Sequence, residues 1–315
     1  MRKTAKTTTA VLAAGTLAFG LSACGSGKNS SSASDSSGPL VVAASPTPHA
    51  EILDFVKDNL AKKAGLDLQV REFTDYITPN TATEDGSVGA NYFQNQPYLD
   101  DFNKKRGTHI VPVVTVHLEP LGLYSHKVKS ADALKSGATI AVPNDSVNEA
   151  RALKLLASKG LITLKNGAGN EATPQDIAEN PRKLRFKEVE APQTPRSLDD
   201  VDAAVINGNF AISSGIKPAK EALVLESPKN NPYGNFLAVE KGNENDPRVK
   251  KLAKLLTSPE VKKFIEDKYA GSVIPSFSRH VLRVSPRTGP TPSPGVGPVV
   301  RFRAHMLHAG QFSRN

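Results

Sequence analysis

Cysteine is almost absent from this sequence, whose 315 residues include only Cys24, and tryptophan is missing altogether. A single cysteine excludes a disulfide within the chain, so a folded body must be stabilised by its core alone. Without tryptophan there is no indole fluorescence to report on binding, so calorimetry is the better assay. Since Cys24 is the single cysteine, the residues around it indicate its role.

No apolar run near the N-terminus is long enough to span a bilayer comfortably. Residues 10–21 are uncharged but number only about a dozen, against the ~20 that a transmembrane helix needs. Basic residues precede this run and small residues follow it, as in a signal peptide. The sequence LSAC at residues 21–24 resembles the bacterial lipobox, in which the cysteine is lipidated and becomes the mature N-terminus. We therefore expect a lipoprotein signal peptide over residues 1–23 and an acyl anchor on Cys24; the alternative is a chance cysteine beside an ordinary cleavage site.

The body of the chain lacks an excess of either positive or negative charge, although the formal net charge of the whole sequence is +9. Three basic residues lie in the leader and six arginines lie in residues 278–315, which contain no acid. The remainder is about neutral, which gives little support for nucleic-acid binding. Residues 24–39 are rich in serine and glycine and predict a flexible tether. The proline-rich tail, 278–315, is expected to be disordered; contact with anionic lipid and a non-native extension both remain open.

Catalytic motifs are also lacking. No serine lies in a nucleophile elbow, and the only thiol is assigned to the anchor. His117 and Glu119 are spaced as a base or as two metal ligands, but no second cluster of such residues accompanies them. The glycine-rich segment 167–172 does not join a strand to a helix, so it predicts a turn and no dinucleotide site. We expect no enzyme activity, no cofactor and no metal.

Strand and helix patterns alternate along residues 40–277, which predicts an α/β fold. Residues 40–44 are an apolar run typical of a buried strand, and Thr47 and Pro48 are typical of a helix start. Apolar residues at helical spacing then lead to Gly65, and residues 66–73 alternate like a second strand. This βαβ opening predicts a parallel sheet. Further strands are predicted at 110–116, 138–142, 184–189, 202–206 and 236–239, and Pro112 in the first of them favours an edge strand or a strand start. A short helix is predicted at 130–135, and longer helices at 145–160, 246–256 and 258–269.

Polar and aromatic side chains suited to a ligand occur at several points. Arg151 lies in the second turn of a predicted helix, one turn after Asn148, where amide groups and a guanidinium can receive a carboxylate; a solvated surface arginine is the alternative. Asn207 follows a predicted strand, at the edge where α/β sheets bind ligands. Residues 91–94 and 233–235 place aromatic and amide side chains side by side. Taken singly, each segment is equally compatible with a turn beside core aromatics.

Six segments taken together resemble one family. They are ANYFQNQPYL at 90–99, VHLEPLGLYS at 116–125, AVPND at 141–145, APQTPRSLDD at 191–200, AVINGN at 204–209 and GSVIPSF at 271–277. In sequence and in order, they resemble the methionine-binding lipoproteins of ABC transporters (the NlpA/MetQ family). The resemblance covers residues 40–277 and the lipobox.

The resemblance implies a periplasmic-binding-protein-like fold of type II, with two α/β lobes, a hinge and a ligand cleft between the lobes. It implies that the protein captures methionine and delivers it to a membrane permease driven by a cytoplasmic ATPase. Carried over by position, Arg151 would pair with the ligand carboxylate, and Asn207 and Asn235 would hold its polar α-groups. The cleft around the thioether would be walled by Tyr92, Phe93, His117 and Tyr124, while Asn148 is a ligand-binding candidate without an assigned role.

The expected organisation is therefore a first lobe of residues 40–122 and 232–277 and a second lobe of residues 123–231. The expected location is the extracytoplasmic face of the cell membrane, with no nucleic-acid partner. Two alternatives stay open: the same architecture binding another amino acid, a short peptide or a metal ion, and a surface adhesin. The sequence does not distinguish L- from D-methionine.

Overall fold

The structure is a computed structural model that describes residues 38–277. The predicted signal peptide, the basic tail and all but the last two residues of the tether lie outside this range. The strands are β1 (Leu40–Ala44), β2 (Leu68–Glu72), β3 (Ala90–Asn95), β4 (Ile110–Leu118), β5 (Gly122–Tyr124), β6 (Thr139–Pro143), β7 (Thr163–Leu164), β8 (Ile177–Glu179), β9 (Arg185–Val189), β10 (Ala203–Ile206), β11 (Val224–Leu225), β12 (Asn235–Glu240) and β13 (Ile274–Pro275). The α-helices are α1 (Glu51–Val56), α2 (Thr78–Glu84), α3 (Gln96–Arg106), α4 (Ser146–Ser158), α5 (Gly208–Ser213), α6 (Pro218–Glu221), α7 (Pro247–Leu256) and α8 (Pro259–Tyr269).

The first lobe is built on a six-stranded sheet in the order β13-β4-β12-β3-β1-β2. Strands β2, β1 and β3 are parallel, whereas β12 runs antiparallel to β3 and β4. Its core is formed where apolar residues of α1, α7 and α8 pack on the sheet, with Ile52, Leu252 and Ile265 fully buried.

The second lobe is built on a five-stranded sheet in the order β11-β5-β10-β6-β9. Strands β10, β6 and β9 are parallel, and β5 runs antiparallel to β10 and β11. Helix α4 covers this sheet through Leu153 and Leu156, which contact a core separate from that of the first lobe. Two sheets with two cores give the two-lobed α/β architecture that the sequence predicted.

The chain passes between the two sheets twice. It leaves β4 at Leu118 and enters β5 at Gly122, and it leaves β11 at Leu225 and returns to β12 at Asn235. We call residues 119–121 the first crossover and residues 226–234 the second crossover. The predicted lobe boundary is wrong at one residue, because Gly122 pairs with Ile206 and Leu225 in the second sheet.

Local signals of the sequence account for most of these elements. The parallel pairing of β1 with β2 is confirmed, and Gly65 ends the helical segment after α1 with a positive φ of 62°. Pro112 lies opposite Ala238 of β12, while β13 pairs with β4 only near Leu118, so the edge position expected of a proline is confirmed within residues 38–277. The predicted helix at 130–135 is reduced to a single turn, Ala131–Ala133. None of the helices described is long and apolar enough to cross a membrane.

Candidate functional site

A narrow cavity lies between the two lobes, with about 360 Å³ of space between the surrounding atoms, including space open to solvent. The first lobe contributes aromatic and amide side chains, the second contributes α4 and the start of α5, and the first crossover contributes Glu119. The lining residues are Tyr76, Phe93, Gln94, Asn95, Tyr98, Glu119, Asn148, Arg151, Asn207, Gly208, Asn209 and Asn235. Most of them carry hydrogen-bonding groups, so the cavity suits a small polar ligand with one apolar part.

Arg151 is positioned by α4, which begins at a well-formed N-cap. The Asp145 carboxylate accepts a hydrogen bond from the Asn148 backbone N–H at 3.0 Å. Two turns into the helix, the Arg151 side chain is 5 % exposed and its guanidinium carbon lies 4.0 Å from the centre of the Tyr233 ring. This burial rules out the alternative of a solvated surface arginine.

Two of the three guanidinium nitrogens of Arg151 are already bonded. Nε donates to Glu226 Oε1 at 3.0 Å, and Nη2 donates to Glu226 Oε2 at 2.5 Å and to the Glu119 carbonyl oxygen at 3.1 Å. Nη1 makes no hydrogen bond within residues 38–277. A cationic donor without a protein partner therefore lies in a side chain that lines the cavity.

Asn207 supplies a complementary acceptor. It follows β10, and its Nδ2 donates to Asn148 Oδ1 at 2.8 Å, while Asn148 Nδ2 donates to both carboxylate oxygens of Asp145 at 3.0 Å. This chain of bonds fixes the orientation of the Asn207 amide. Its Oδ1 is buried and has no hydrogen-bond partner among the described residues. A buried acceptor in this condition is destabilising unless a ligand or water supplies a donor.

Aromatic rings form the apolar side of the cavity. Tyr76, in the loop before α2, contacts Phe93 of β3 and Tyr98 of α3 with ring centroids 6.0 and 5.7 Å apart. It also contacts Phe210 of the second lobe at 5.0 Å, and its hydroxyl donates to Asn209 Oδ1 at 2.5 Å. The aromatic cluster therefore bridges the two lobes as well as lining the cavity.

Behind the cavity, a buried hydrogen-bond network ends on the Glu119 carboxylate. His117 Nε2 lies 2.8 Å and His49 Nε2 lies 3.3 Å from Glu119 Oε1, and His49 Nε2 also lies 3.1 Å from Asn235 Oδ1. The Tyr92 hydroxyl is hydrogen-bonded to His117 Nδ1. The network thus connects the first sheet to two groups that line the cavity, Glu119 and Asn235.

Burial governs the protonation of this network. It lowers the pKa of His49 to about 4 and that of His117 to about 3, so both imidazoles are neutral at pH 7. Burial raises the pKa of the Glu119 carboxyl, against the lowering influence of His49, Arg151 and the Asn209 backbone amide. Glu119 is therefore a desolvated acid whose ionised form gains from a nearby positive charge.

His49, His117 and Glu119 also have the composition of a metal-ligand set, with ligand atoms within 4.8 Å of one another. The sequence had singled out only the last two of these. The Nε2 atoms of both histidines are directed at one carboxylate oxygen, so the atoms that would bind a metal are engaged with one another. The arrangement is that of a hydrogen-bond network.

The structure brings five of the eight predicted ligand-binding residues to the cavity: Phe93, Asn148, Arg151, Asn207 and Asn235. Tyr92 and His117 do not line it and lie in the network behind it. Tyr124 is remote from the cavity. Because side chains alternate along β5, Leu123 faces the core beneath α4 and Tyr124 faces the opposite side of the sheet, where it packs with Leu198 and Ile206. The prediction that Tyr124 walls the cleft is therefore wrong.

Several residues of the site were missed by the sequence analysis. Tyr76 lies in a loop and carries no local signal, and Glu226 lies in the second crossover, 75 positions after its partner Arg151. Asn209 belongs to a segment that the sequence did single out, two positions after Asn207. Only the three-dimensional structure places these side chains together.

Comparisons with known proteins agree with the fold. A family model described as NlpA lipoprotein matches residues 40–277. The methionine-binding lipoprotein MetQ of Bacillus subtilis is 42% identical over 259 residues, which are 81% of this chain and 93% of that protein. The membrane lipoprotein TpN32 of Treponema pallidum is 40% identical over 227 residues, 72% of this chain and 84% of its own. Among solved structures, a nutrient-binding protein from Burkholderia cenocepacia bound to methionine is 47% identical with a TM-score of 0.74, covering 76% of this chain and 100% of that one.

Proposed function

Because this chain belongs to the NlpA lipoprotein family, we propose that it is an extracytoplasmic receptor that binds methionine and delivers it to an ABC importer. The name of the Bacillus relative and the methionine bound to the Burkholderia structure support this ligand. The relatives are named for binding, which agrees with the expectation that the chain is not an enzyme. Cys24 would carry the lipid that holds the receptor on the outer face of the cell membrane.

The main support within the structure is a pair of unmatched polar groups on two side chains that line one cavity. Arg151 Nη1 is a donor without an acceptor, and Asn207 Oδ1 is a buried acceptor without a donor, among the described residues. The carboxylate of an amino acid supplies the missing acceptor, and its α-ammonium group supplies the missing donor. A zwitterionic amino acid satisfies both at once.

The remaining groups of the cavity fit the rest of the methionine molecule. The Glu119 carboxyl group lines the cavity, and the positive charge of the α-ammonium group would favour its ionised form. Asn235 also lines the cavity and is hydrogen-bonded to His49 of the network around Glu119. The flexible thioether would lie on the rings of Tyr76, Phe93 and Tyr98, where sulfur–aromatic contacts contribute ~0.3–1.5 kcal/mol. Tyr92 and His117 would act indirectly, by holding Glu119 in place.

Binding would favour the closed arrangement of the lobes, because the ligand contacts both of them. Arg151 and Asn207 belong to the second lobe, whereas Phe93 and Tyr98 belong to the first. A ligand that contacts both faces stabilises the state in which the faces are close together. The closed form is the one that the permease would recognise.

Isothermal titration calorimetry and thermal unfolding of the purified protein test the proposal. L-methionine or D-methionine should bind and should stabilise the fold by ~2.7 kcal/mol at a ligand concentration about 100 times the dissociation constant. Arg151→Lys keeps the positive charge beside Glu226 but removes the cavity-lining nitrogen, so affinity should fall at least tenfold. Exposed Arg71 provides the matched control, Arg71→Lys. Unchanged melting curves with both enantiomers would contradict the proposal.

A further inference from the structure

Glu226, in the second crossover, is bonded to the arginine that lines the cavity. Its two carboxylate oxygens accept hydrogen bonds from Arg151 Nε and Nη2 at 3.0 and 2.5 Å, a bidentate geometry. Glu226 Oε2 also accepts a hydrogen bond from the Leu121 backbone N–H, in the first crossover, at 3.2 Å. Glu226 is itself largely buried, with 15 % of its side chain exposed. The ion pair is thus held by both crossovers.

These contacts leave the guanidinium little freedom to rotate. The bidentate bond defines its plane, Tyr233 packs on its face, and the Glu119 carbonyl oxygen receives a further bond from Nη2. Nη1 is the nitrogen that remains for a ligand. Without Glu226 the guanidinium could turn and offer a ligand carboxylate its Nε–Nη2 edge instead.

Glu226 also determines the charge that a ligand encounters. Burial raises the pKa of Glu226, but the positive charge and hydrogen bonds of Arg151 lower it by more. The pKa of Glu226 therefore lies below its usual range. The carboxylate is therefore ionised and cancels the charge of Arg151. Apart from tyrosines, Arg151 and Glu119 are the ionisable side chains among the described residues that line the cavity. Because the negative charge of Glu226 balances the positive charge of Arg151, the cavity holds no net positive charge.

We propose that Glu226 is a positioning and specificity-determining residue: it orients Arg151 with Nη1 available to the ligand, and it makes the cavity prefer a zwitterion over an anion of the same shape. An anion that lacks the ammonium group meets no net positive charge, whereas a zwitterion supplies one charge of each sign. This inference rests on the proposed function, since the ligand pair used to test it derives from methionine.

The test compares L-methionine with 4-(methylthio)butanoate, which is methionine without its amino group. Calorimetry, with competition titrations for weak ligands, gives both dissociation constants for the wild type, Glu226→Gln and Glu226→Asp. Exposed Glu190, which forms no side-chain hydrogen bond within residues 38–277, provides the matched control Glu190→Gln. The readout is the ratio of the two constants, which a purely structural defect would leave unchanged.

Glu226→Gln should reduce the preference for L-methionine over the anion at least tenfold, because the charge of Arg151 is no longer cancelled. Glu226→Asp keeps the charge but shortens the side chain, so methionine affinity should fall at least threefold while the ratio stays within threefold of wild type. A ratio unchanged in Glu226→Gln, or reduced equally in Glu190→Gln, would overturn the specificity role. Methionine affinity unchanged in Glu226→Asp would overturn the positioning role.

These outcomes are separate from a failure of the proposed function. A wild type that binds neither enantiomer of methionine contradicts that function itself. A wild type that binds methionine, together with variants that do not differ from it, contradicts only the role of Glu226. If Glu226→Gln does not fold, the Glu226→Asp arm still decides whether the residue positions Arg151, and a preference of that variant altered by more than threefold overturns the charge argument.

Discussion

His49 and His117 are buried imidazoles whose pKa values lie well below that of an exposed histidine. In the unfolded chain both residues are protonated below about pH 6.5. In the folded protein His49 is protonated only below about pH 4 and His117 only below about pH 3. The free energy of unfolding must therefore fall as the pH drops from 6.5 towards 4. Because folding lowers the pKa of His49 from 6.5 to about 4, His49 alone accounts for on the order of 3 kcal/mol of this loss.

Urea unfolding at pH 7 and pH 4.5 measures this effect in the wild type and in His49→Gln. Glutamine retains a donor for Glu119 but does not titrate, so the variant should lose about 2–3 kcal/mol less stability between the two pH values than the wild type. Equal losses in the two proteins would show that His49 is not the acid-sensitive group.

At the scale of single residues, the sequence predicted those functional groups whose signal is local. Arg151 and Asn148 were identified from their place in the first turns of a helix, and Asn207 from its place after a strand. Glu226 and Tyr76 were missed because their partners lie 75 and 133 positions away, at Arg151 and Asn209. Such contacts depend on how the lobes meet, which no local pattern records.

Helix α5 begins in very close contact with the first crossover. A β-carbon on Gly208, its first residue, would lie 2.7 Å from Glu119 Cβ and 3.1 Å from Glu119 Oε2. The backbone of Gly208 does not have a positive φ, so glycine is required there by space and not by conformation. The close approach brings the start of α5 to the cavity and to the Glu119 carboxylate.

Gly208→Ala should therefore push α5 and Glu119 apart. Overpacking of this kind costs ~1–3 kcal/mol, and because both elements line the cavity we expect methionine affinity to fall about tenfold or more. Gly169→Ala is the matched control, since a β-carbon there meets no atom within 4 Å. Calorimetric titration of the two variants gives the comparison, and equal affinities would mean that the contact is not needed for binding.

At the scale of elements, the sequence predicted the helices and strands that have clear caps or apolar runs. Strand β3 was not predicted, although all six of its residues are buried. It carries Asn91 and Gln94, which are satisfied by hydrogen bonds to one another and to Asn80. A buried strand with internally bonded amide side chains shows neither the alternation nor the apolar run by which strands are identified.

For the molecule as a whole, the lobes meet through several polar contacts between their side chains and backbones. Tyr76 donates to Asn209 at 2.5 Å, and Lys105 of α3 donates to Ser146 of α4 at 2.6 Å. Surface bonds of the latter kind contribute little stability. A ligand bound between the lobes adds contacts to both of them and is expected to stabilise the closed arrangement further.

Small-angle X-ray scattering can measure this closure directly. Addition of methionine should reduce the radius of gyration, because the open population closes around the ligand. Arg151→Lys should need a proportionally higher methionine concentration for the same compaction. Scattering curves that superimpose with and without saturating methionine would contradict a ligand-driven closure.

The sequence predicted the two-lobed architecture but misplaced its boundary at Gly122. The alternation of strands and helices specifies an α/β fold, and the length of residues 40–277 suits two lobes of ~120 residues. The residue at which the chain enters the second lobe depends on strand pairing, because Gly122 pairs with Ile206 of β10 and Leu225 of β11, which lie far along the chain. Pairing at that distance is a property of the assembled sheet.

Both ends of the described chain belong to the same sheet, since β1 and β13 are strands of the first lobe. An attachment to the bilayer through residue 24 would consequently restrain that half of the receptor only. The second lobe is joined to the first by the two crossovers, and we expect it to move relative to the first lobe without displacing the membrane anchor. If the proposed lipid on Cys24 is present, attachment to the membrane would then leave the opening and closing of the cleft unhindered.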